Sequence, residues 1–290
     1  MIVRAADRVL VQGITGTQGT FWSQQMIAYG TRIIGGVNPK KAGAEHLGLP
    51  VYASAAEAAN DRGFEVAVMF VPPMAARAAA LDAIEAGAKL LVVLTEHIPA
   101  QDVMELIAAA KAGGTRVIGP NTAGLVTPGE CFVGIMPAFN AKVHRPGRIG
   151  VISRSGSLGA LICLNLVRAG FGQSAYIGVG GDPILGTTTR DALRAFEDDA
   201  GTDGVMMVGE IGGTAEEDAA EYAATMKKPV IAYIAGAAAP EGRRMGHAGA
   251  IVMGDKGTYR SKRAALERAG VRVLDAPTEA GAAFTKALGA

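Results

Sequence analysis

Short runs of β-branched and other apolar residues alternate with alanine-rich segments along the chain. Runs of this length are typical of buried strands, and the alanine-rich segments are typical of helices. Because strands alternate with helices, the pattern favours right-handed βαβ crossovers and parallel sheets. In the first half it predicts strands at Arg8–Gln12, Arg32–Val37, Val66–Phe70, Leu90–Leu94 and Arg116–Ile118, and helices such as Gly19–Tyr29, Ala75–Ala86 and Ala100–Ala112.

The same alternation restarts near residue 148, after a segment at 119–146 that is rich in Gly and Pro and lacks periodicity. It predicts further strands at Arg148–Ser153, Gln173–Val179, Gly204–Gly209, Pro229–Ala235 and Val271–Leu274. We therefore expect an α/β protein with two open parallel-sheet domains, at residues 1–125 and 126–290. Ligands of such sheets bind outside the carboxyl ends of the strands, so the strand-to-helix turns are the places to search for a site.

Composition narrows the function classes. Hydrophobic residues make up 49% of the 290 residues and charged residues 19%, which excludes a disordered chain. The net charge is +1 and aromatic residues are only 5%, so nothing favours nucleic acid as a partner. Two cysteines, Cys131 and Cys163, are too few for a disulfide framework or a structural zinc site. Because no signal peptide and no apolar run of about 18 residues is visible, we expect no membrane partner and a cytoplasmic location.

A glycine-rich turn follows the first predicted strand, where residues 12–20 read Q-G-I-T-G-T-Q-G-T. Such a turn at the start of a helix offers bare backbone N–H groups and a positive dipole end, which suits a phosphate group. The alternative is that these glycines only allow a tight turn.

The second strand ends without the acidic residue that holds a ribose 2′-hydroxyl in NAD sites, and Lys40 and Lys41 follow it instead. Lysines there suit a phosphorylated ribose, as in NADP or coenzyme A, unless they are ordinary surface lysines. The turns at 70–73 and 94–99 follow later strands, and Thr95 and Glu96 are expected at the same sheet edge as the glycine turn. The turn at 119–124 reaches the same cleft or the seam between the domains.

A histidine among small residues marks the second domain, since His247 lies in the run G-H-A-G-A. Glu210 ends a predicted strand, and its carboxylate can bind one ring nitrogen, fix the tautomer and leave the other nitrogen nucleophilic. Residues 153–158 form a strand-to-helix turn that suits a phosphate. Together these features indicate phosphoryl transfer through phosphohistidine, whereas the alternative is a buried histidine that binds a carbonyl group. We interpret His46, His97 and His144 as structural, and the turn at 180–183 as loop geometry.

These motifs occur in one order with several others. The blocks are Gln12–Phe21, Ala28–Gly30, Gly35–Val37, His46–Pro50, Ile118–Asn121, Thr127–Glu130, Val151–Gly156, Gly180–Pro183, Gly209–Gly213 and Arg244–Ala250. Over nearly its whole length the chain thereby resembles the α subunits of succinyl-CoA synthetases, within the NDP-forming acyl-CoA synthetase family.

The resemblance implies a Rossmann-like CoA-binding domain followed by a flavodoxin-like ligase domain. It places coenzyme A on residues of the first domain, namely Thr15, Gly16, Thr17, Gln18, Lys41, Pro72, Leu94, Thr95 and Glu96. It makes His247 the phosphorylated residue, oriented by Glu210, with Ser155 and Gly156 holding the phosphoryl group. It also implies a β subunit with an ATP-grasp domain that carries Mg²⁺ and ATP or GTP, since residues 1–290 contain no P-loop motif. No metal site is expected on this chain.

The reaction that the resemblance implies joins a carboxylate to coenzyme A through an acyl phosphate. Asn121, Ser157 and Ala160 are the expected substrate-binding residues. Ala160 and Leu161 stand where family members typically carry Tyr and Glu, which indicates an altered acyl pocket. Succinate is the leading substrate, and malate or another substituted dicarboxylate is the alternative. More distant alternatives are an NADP-dependent oxidoreductase and a non-catalytic CoA-binding module.

Overall fold

The computed structural model describes residues 1–239, 246–252 and 256–289. Contacts divide the chain into two units, one formed by Val3–Phe139 with Ile184–Gly186, and the other by Asn140–Pro183 with the residues from Thr187 on. None of the helices in the described ranges has the length and apolar character needed to cross a bilayer.

The first unit is built on a sheet with helices on its faces. The sheet contains the strands β1 (Arg8–Gln12), β2 (Arg32–Val37), β3 (Glu45–His46), β4 (Leu49–Tyr52), β5 (Val66–Met69), β6 (Leu90–Val93) and β7 (Arg116–Ile118). The unit also contains the strands β8 (Gly124–Thr127) and β9 (Cys131–Gly134). Its helices are α1 (Thr17–Tyr29), α2 (Ala55–Asp61), α3 (Pro73–Glu85) and α4 (Ala100–Gly113).

The strand order β3-β4-β2-β1-β5-β6-β7 is parallel except for the β3–β4 pair, which is antiparallel. Without the short β3, this is the Rossmann order, in which the strand order reverses at a switch point between β1 and β5. Buried residues such as Leu10, Met69 and Leu91 form the core, and alanines on α3 allow that helix to lie close to the sheet. The predicted Rossmann-like domain is confirmed.

The hairpin β8–β9 belongs to the first unit. Phe132 lies in this hairpin and contacts the rings of Trp22 and Tyr29 on α1, and the Thr31 hydroxyl donates to the Phe132 carbonyl over 2.7 Å. The unit therefore extends through Phe139, whereas the boundary predicted at residue 125 falls inside β8. The prediction treated 119–146 as aperiodic because its strands are short and separated by Gly and Pro.

The second unit contains a parallel sheet in the order β14-β13-β12-β10-β11. Its strands are β10 (Pro146–Ser153), β11 (Gln173–Gly178), β12 (Gly204–Glu210), β13 (Val230–Ala235) and β14 (Arg272–Leu274). Its helices are α5 (Gly156–Arg168), α6 (Thr189–Asp198), α7 (Ala215–Ala223), α8 (Tyr259–Arg268) and α9 (Ala280–Leu288). Counted along the chain, this is the order 2-1-3-4-5 of flavodoxin-like sheets, with the switch point between β10 and β12. The predicted flavodoxin-like domain is confirmed.

Candidate functional site

The turn after β1 is tightly packed at the switch point of the first sheet. Gly13 has a φ of +81°, and a Cβ atom there would collide with the Phe70 carbonyl at the end of β5. A Cβ atom on Gly19 would in turn collide with the Gly13 carbonyl. Only glycines allow this close approach, and it leaves the first N–H groups of α1 bare at the sheet edge.

This turn borders a cavity of about 730 Å³ in the first unit. Thr15, Gly16, Lys41 and Pro72 line it, as does Lys40. The Asn38 side chain donates to the Thr15 hydroxyl over 2.6 Å and so joins the end of β2 to the glycine turn. Bare N–H groups and two lysines fit a ligand that carries phosphates, and the size is that of a cofactor site.

A second cavity of about 290 Å³ lies farther along the same edge. Gln18, Leu94 and Thr95 are among its lining residues, and the Trp22 indole donates to the Gln18 side-chain carbonyl over 3.1 Å. The Asn121 backbone N–H donates to the Thr95 carbonyl over 3.1 Å, so Asn121 lies beside this edge.

Two residues predicted at the coenzyme A site lie outside the lining of both cavities, namely Thr17 and Glu96. Thr17 is the first residue of α1, where its backbone N–H faces the helix start. Glu96 is exposed, and one of its oxygens lies 3.5 Å from Nε2 of His97.

In the second unit, His247 lies against the carboxylate that ends β12. Both oxygens of Glu210 are within hydrogen-bond distance of Nδ1, at 3.0 and 2.9 Å. An ionised carboxylate can only accept a hydrogen bond, so this contact favours the tautomer with its hydrogen on Nδ1 and a lone pair on Nε2. The Glu210 side chain is 10% exposed and the His247 side chain is 28% exposed, so the ring is partly open to a reactant.

Glycines make room for the imidazole. A Cβ atom on Gly181 would lie 2.6 Å from Cγ of the His247 ring, so the loop after β11 packs flat against the ring. Sequence reasoning assigned Gly180–Pro183 to loop geometry and missed this contact. The only signal was the position of these glycines at the end of a strand that neighbours β10.

Arg154 lies next to the carboxylate of Glu210. Its Nε atom is 3.4 Å from Oε1 of Glu210, and its side chain is only 5% exposed. The sequence blocks contained this arginine without assigning it a role. Its significance depends on burial, which the S-R-S-G run does not reveal.

The turn after β10 begins α5. The Ser155 hydroxyl caps this helix by accepting from the Leu158 N–H over 3.4 Å, and Gly156 is the first helical residue. Ser157 is exposed and Ala160 is half-buried. Because β10 pairs with β12, this helix start and Glu210 belong to adjacent strand ends of one sheet.

The predicted motif Arg244–Ala250 is described only in part, because residues 240–245 lie outside the described ranges. In those ranges, no group of three or more His, Cys, Asp and Glu side chains forms a candidate metal site.

Comparison with known proteins is decisive for the family. The chain is 51% identical over 93% of its length to the succinate–CoA ligase [ADP-forming] α subunit of Methanothermobacter thermautotrophicus, and covers 91% of that protein. It is 48% identical over 96% of its length to α subunit 2 of the same enzyme in Archaeoglobus fulgidus, and covers 96% of it. The chain belongs to the family of succinate–CoA ligase α subunits.

Each of the two units of this chain contains a match to one protein family. Residues 5–97 match the CoA binding domain, and residues 152–272 match the CoA-ligase family. The fold also resembles ATP citrate lyase of Methanosaeta concilii, with a TM-score of 0.88 and 24% identity over 99% of this chain and 50% of that one. The CoA binding match covers the glycine turn, and the CoA-ligase match covers both Glu210 and His247.

Proposed function

We propose that this chain is the α subunit of an NDP-forming acid–CoA ligase in which His247 carries the phosphoryl group between reaction steps. The observation that carries the proposal is the contact of both Glu210 oxygens with Nδ1 of His247. This contact favours the tautomer with a lone pair on Nε2, and that lone pair is the nucleophile that phosphoryl transfer requires.

The proposed chemistry has three balanced steps. The Nε2 lone pair attacks the γ-phosphorus of a nucleoside triphosphate, an N–P bond forms, and the nucleoside diphosphate leaves. A carboxylate oxygen of the acid then attacks this phosphorus, which gives an acyl phosphate and restores the neutral imidazole. The thiolate of coenzyme A attacks the acyl carbon and phosphate leaves. In all three steps the proton stays on Nδ1 and is donated in a hydrogen bond to Glu210. Imidazole rather than imidazolate is therefore the leaving group in the second step.

We assign coenzyme A to the first unit. The start of α1 would hold phosphates through backbone N–H groups, while Lys40 and Lys41 would face the phosphorylated ribose. The cavity of Gln18, Leu94 and Thr95 would take the thiol-bearing arm. The CoA binding match over residues 5–97 supports this assignment.

We propose Asn121, Ser157 and Ala160 as substrate-binding residues and succinate as the acid. Relatives that share 51% and 48% of their residues with this chain are named for succinate. Ser155 and Gly156, at the start of α5, would hold the phosphoryl group. These curated relatives give no support to an oxidoreductase or a non-catalytic binding module.

We further propose that a β subunit with an ATP-grasp domain binds the nucleotide and its Mg²⁺. The subunit naming of the relatives supports a partner chain. The cytoplasmic location, the choice between ATP and GTP, and a place in the tricarboxylic acid cycle stay predictions.

The test is a labelling experiment on the chain purified together with its partner subunit. After incubation with Mg²⁺ and ATP or GTP labelled at the γ-phosphorus, we expect a label on this chain that is stable to base and labile to acid. His247→Asn abolishes the label, while the exposed-histidine control His97→Asn keeps it. CoA binding, measured by calorimetry, is unchanged in both variants. A label that persists in His247→Asn, or no label on the unsubstituted chain, contradicts the proposal.

The acid is tested with a panel of carboxylic acids and the labelled complex. Succinate should discharge the label fastest in the presence of coenzyme A. If malate or a longer acid discharges the label faster, that acid rather than succinate is the substrate. Such a result would indicate that the small side chain of Ala160 makes room for it.

A further inference from the structure

Buried charges continue from Glu210 into the interior of the second unit. Glu216 and Lys262 are fully buried and form an ion pair with each other. Oε1 of Glu216 lies 4.0 Å from Nη1 of Arg154, whose Nε atom faces Glu210. The order of charges is thus Glu210 (negative), Arg154 (positive), Glu216 (negative) and Lys262 (positive), which we call the buried charge array.

The array is anchored to the backbone that carries Glu210. The Glu210 N–H donates to Oε1 of Glu216 over 3.3 Å, and Nζ of Lys262 donates to the Gly212 carbonyl over 2.8 Å. Glu216 lies in the first turn of α7, where the helix dipole favours a negative charge. The end of β12 is therefore fixed from behind by two charged side chains.

Arg154 connects this array to the histidine segment as well. Its Nη2 lies 3.5 Å from the Asp182 carbonyl, in the loop that packs on the imidazole. A Cβ atom on Gly249 would lie only 2.7 Å from the same nitrogen, so the backbone beyond His247 passes close to the guanidinium. One planar, forked side chain thus contacts three parts of the site.

Burying four charges is unfavourable unless each one is compensated, and replacing such a group with apolar residues is often neutral or stabilising. Fold stability is therefore a poor explanation for the array. A position next to the carboxylate that binds the proposed phosphoryl carrier indicates a role in the chemistry instead.

We propose that Arg154, kept beside Glu210 because Lys262 neutralises the charge of Glu216, positions the Glu210 carboxylate against Nδ1 of His247, so that the ring hydrogen stays on Nδ1. Without the guanidinium, the carboxylate could turn away from Nδ1, and part of the imidazole would then adopt the tautomer with its hydrogen on Nε2, which lacks the nucleophilic lone pair. The inference rests on the proposed function, because it assigns Arg154 as a positioning residue for phosphoryl transfer.

The first test is Arg154→Lys, which keeps the charge but cannot contact Glu210, Glu216 and the Asp182 carbonyl together. Histidine ¹⁵N NMR of the complex reports the tautomer of His247, whose signals are those that His247→Asn removes. We expect a mixture of tautomers instead of one with its hydrogen on Nδ1, and labelling from γ-labelled ATP about tenfold slower. The matched control is Arg148→Gln, which breaks an exposed pair with Asp203 in the same unit and should change neither readout.

The second test restores charge balance. Lys262→Met leaves Glu216 to draw Arg154 away from Glu210, so labelling should again fall about tenfold. The double variant Glu216→Gln with Lys262→Met removes one charge of each sign and leaves only the partly exposed Glu217, 3.8 Å from Nζ of Lys262 in the unsubstituted chain, so labelling should recover to within about threefold. Should Lys262→Met fail to fold, Arg154→Lys decides alone.

The outcomes separate this inference from the proposed function. If the unsubstituted complex takes no label, the proposed function fails. If it is labelled and Arg154→Lys shows one tautomer and the unsubstituted rate, the positioning role is overturned. If Arg154→Lys is impaired but the double variant is as slow as Lys262→Met, the part assigned to Glu216 and Lys262 is overturned.

Discussion

The two units differ in how they treat charge. In the first unit, all of whose residues in 3–139 are described, the buried polar side chains are amides and hydroxyls, and none is Asp, Glu, His, Lys or Arg. Among its described residues, the second unit buries five of these types, namely His144, Arg154, Glu210, Glu216 and Lys262. Both candidate sites nevertheless lie at the switch point of an open sheet.

This difference follows from the chemistry proposed for each unit. The first unit has only to hold a ligand, and backbone N–H groups at the start of α1 with exposed lysines can hold phosphates without burying charge. The second unit has to control which nitrogen of one imidazole carries a proton. Control of a proton requires a charged partner of low exposure, because water would otherwise screen it.

Among substitutions that should affect one unit and not the other, Glu210→Gln is expected to have the largest effect. The amide keeps the shape but presents no negative charge to Nδ1, so the tautomer is no longer fixed. We expect the rate of His247 labelling to fall about 100-fold or more. Calorimetry should give an unchanged affinity for coenzyme A. A matching loss of CoA affinity would show that the two sites are not separate in function.

A second prediction concerns acid stability, which should be lost in the second unit. His144 is 3% exposed, its ring nitrogens have no hydrogen-bond partner among the residues that the structure describes, and burial lowers its pKa to about 4. In the unfolded chain the His144 imidazole takes up a proton near pH 6.5, whereas in the folded chain it does so only near pH 4. The free energy of unfolding therefore falls as the pH drops from 6.5 to 4. The contribution of this residue is about 3 kcal/mol.

The measurement compares the unsubstituted chain with His144→Leu. Urea unfolding of the second unit is followed by hydrogen exchange of amides in β10 and β11 at pH 7.5 and pH 4.5. The variant should lose less stability over this range, because carboxylates that titrate in both proteins cancel in the difference. His97→Asn serves as the exposed control, and an acid response of His144→Leu equal to that of the control would contradict the prediction.

The smallest effect is expected from Lys41→Met in the first unit. An exposed lysine against one phosphate contributes on the order of 1 kcal/mol, so CoA affinity should fall about fivefold. Binding of dephospho-CoA, which lacks the ribose phosphate, should not change, and neither should His247 labelling. Lys111→Met, on α4 and outside both cavities, is the control. Equal weakening of both ligands would place Lys41 away from the ribose phosphate.

Much of the fold could be predicted because buried parallel strands leave a plain sequence pattern. The bounds of β1, β2 and β7 match the prediction to the residue. The short strands β3, β4, β8 and β9 were not predicted, since runs of two to four residues are too short to show periodicity. In addition, β4 contains Pro50 and β8 begins at Gly124, and both residue types are unfavourable in strands. Their positions are set by tertiary packing, as the contacts of Phe132 on α1 illustrate.

The site shows the same division. Glu210 and His247 could be paired from sequence because one ends a strand and the other lies among glycines, and the structure brings them together. Lys262 could not be found in this way, because nothing in the sequence around it distinguishes a buried lysine from a surface one. Only the packing of α8 shows that it is fully buried beside Glu216.

The proposal that His247 carries the phosphoryl group on Nε2 is tested most directly by identifying the ring nitrogen that is bonded to phosphorus. The complex, labelled with ¹⁵N at histidine, is phosphorylated with ATP and Mg²⁺, and the nitrogen bonded to phosphorus is identified by NMR. We expect phosphorus on Nε2 of His247 and a hydrogen on Nδ1 that is donated to the Glu210 carboxylate. Phosphorus on Nδ1, or on any other residue, would contradict the proposal.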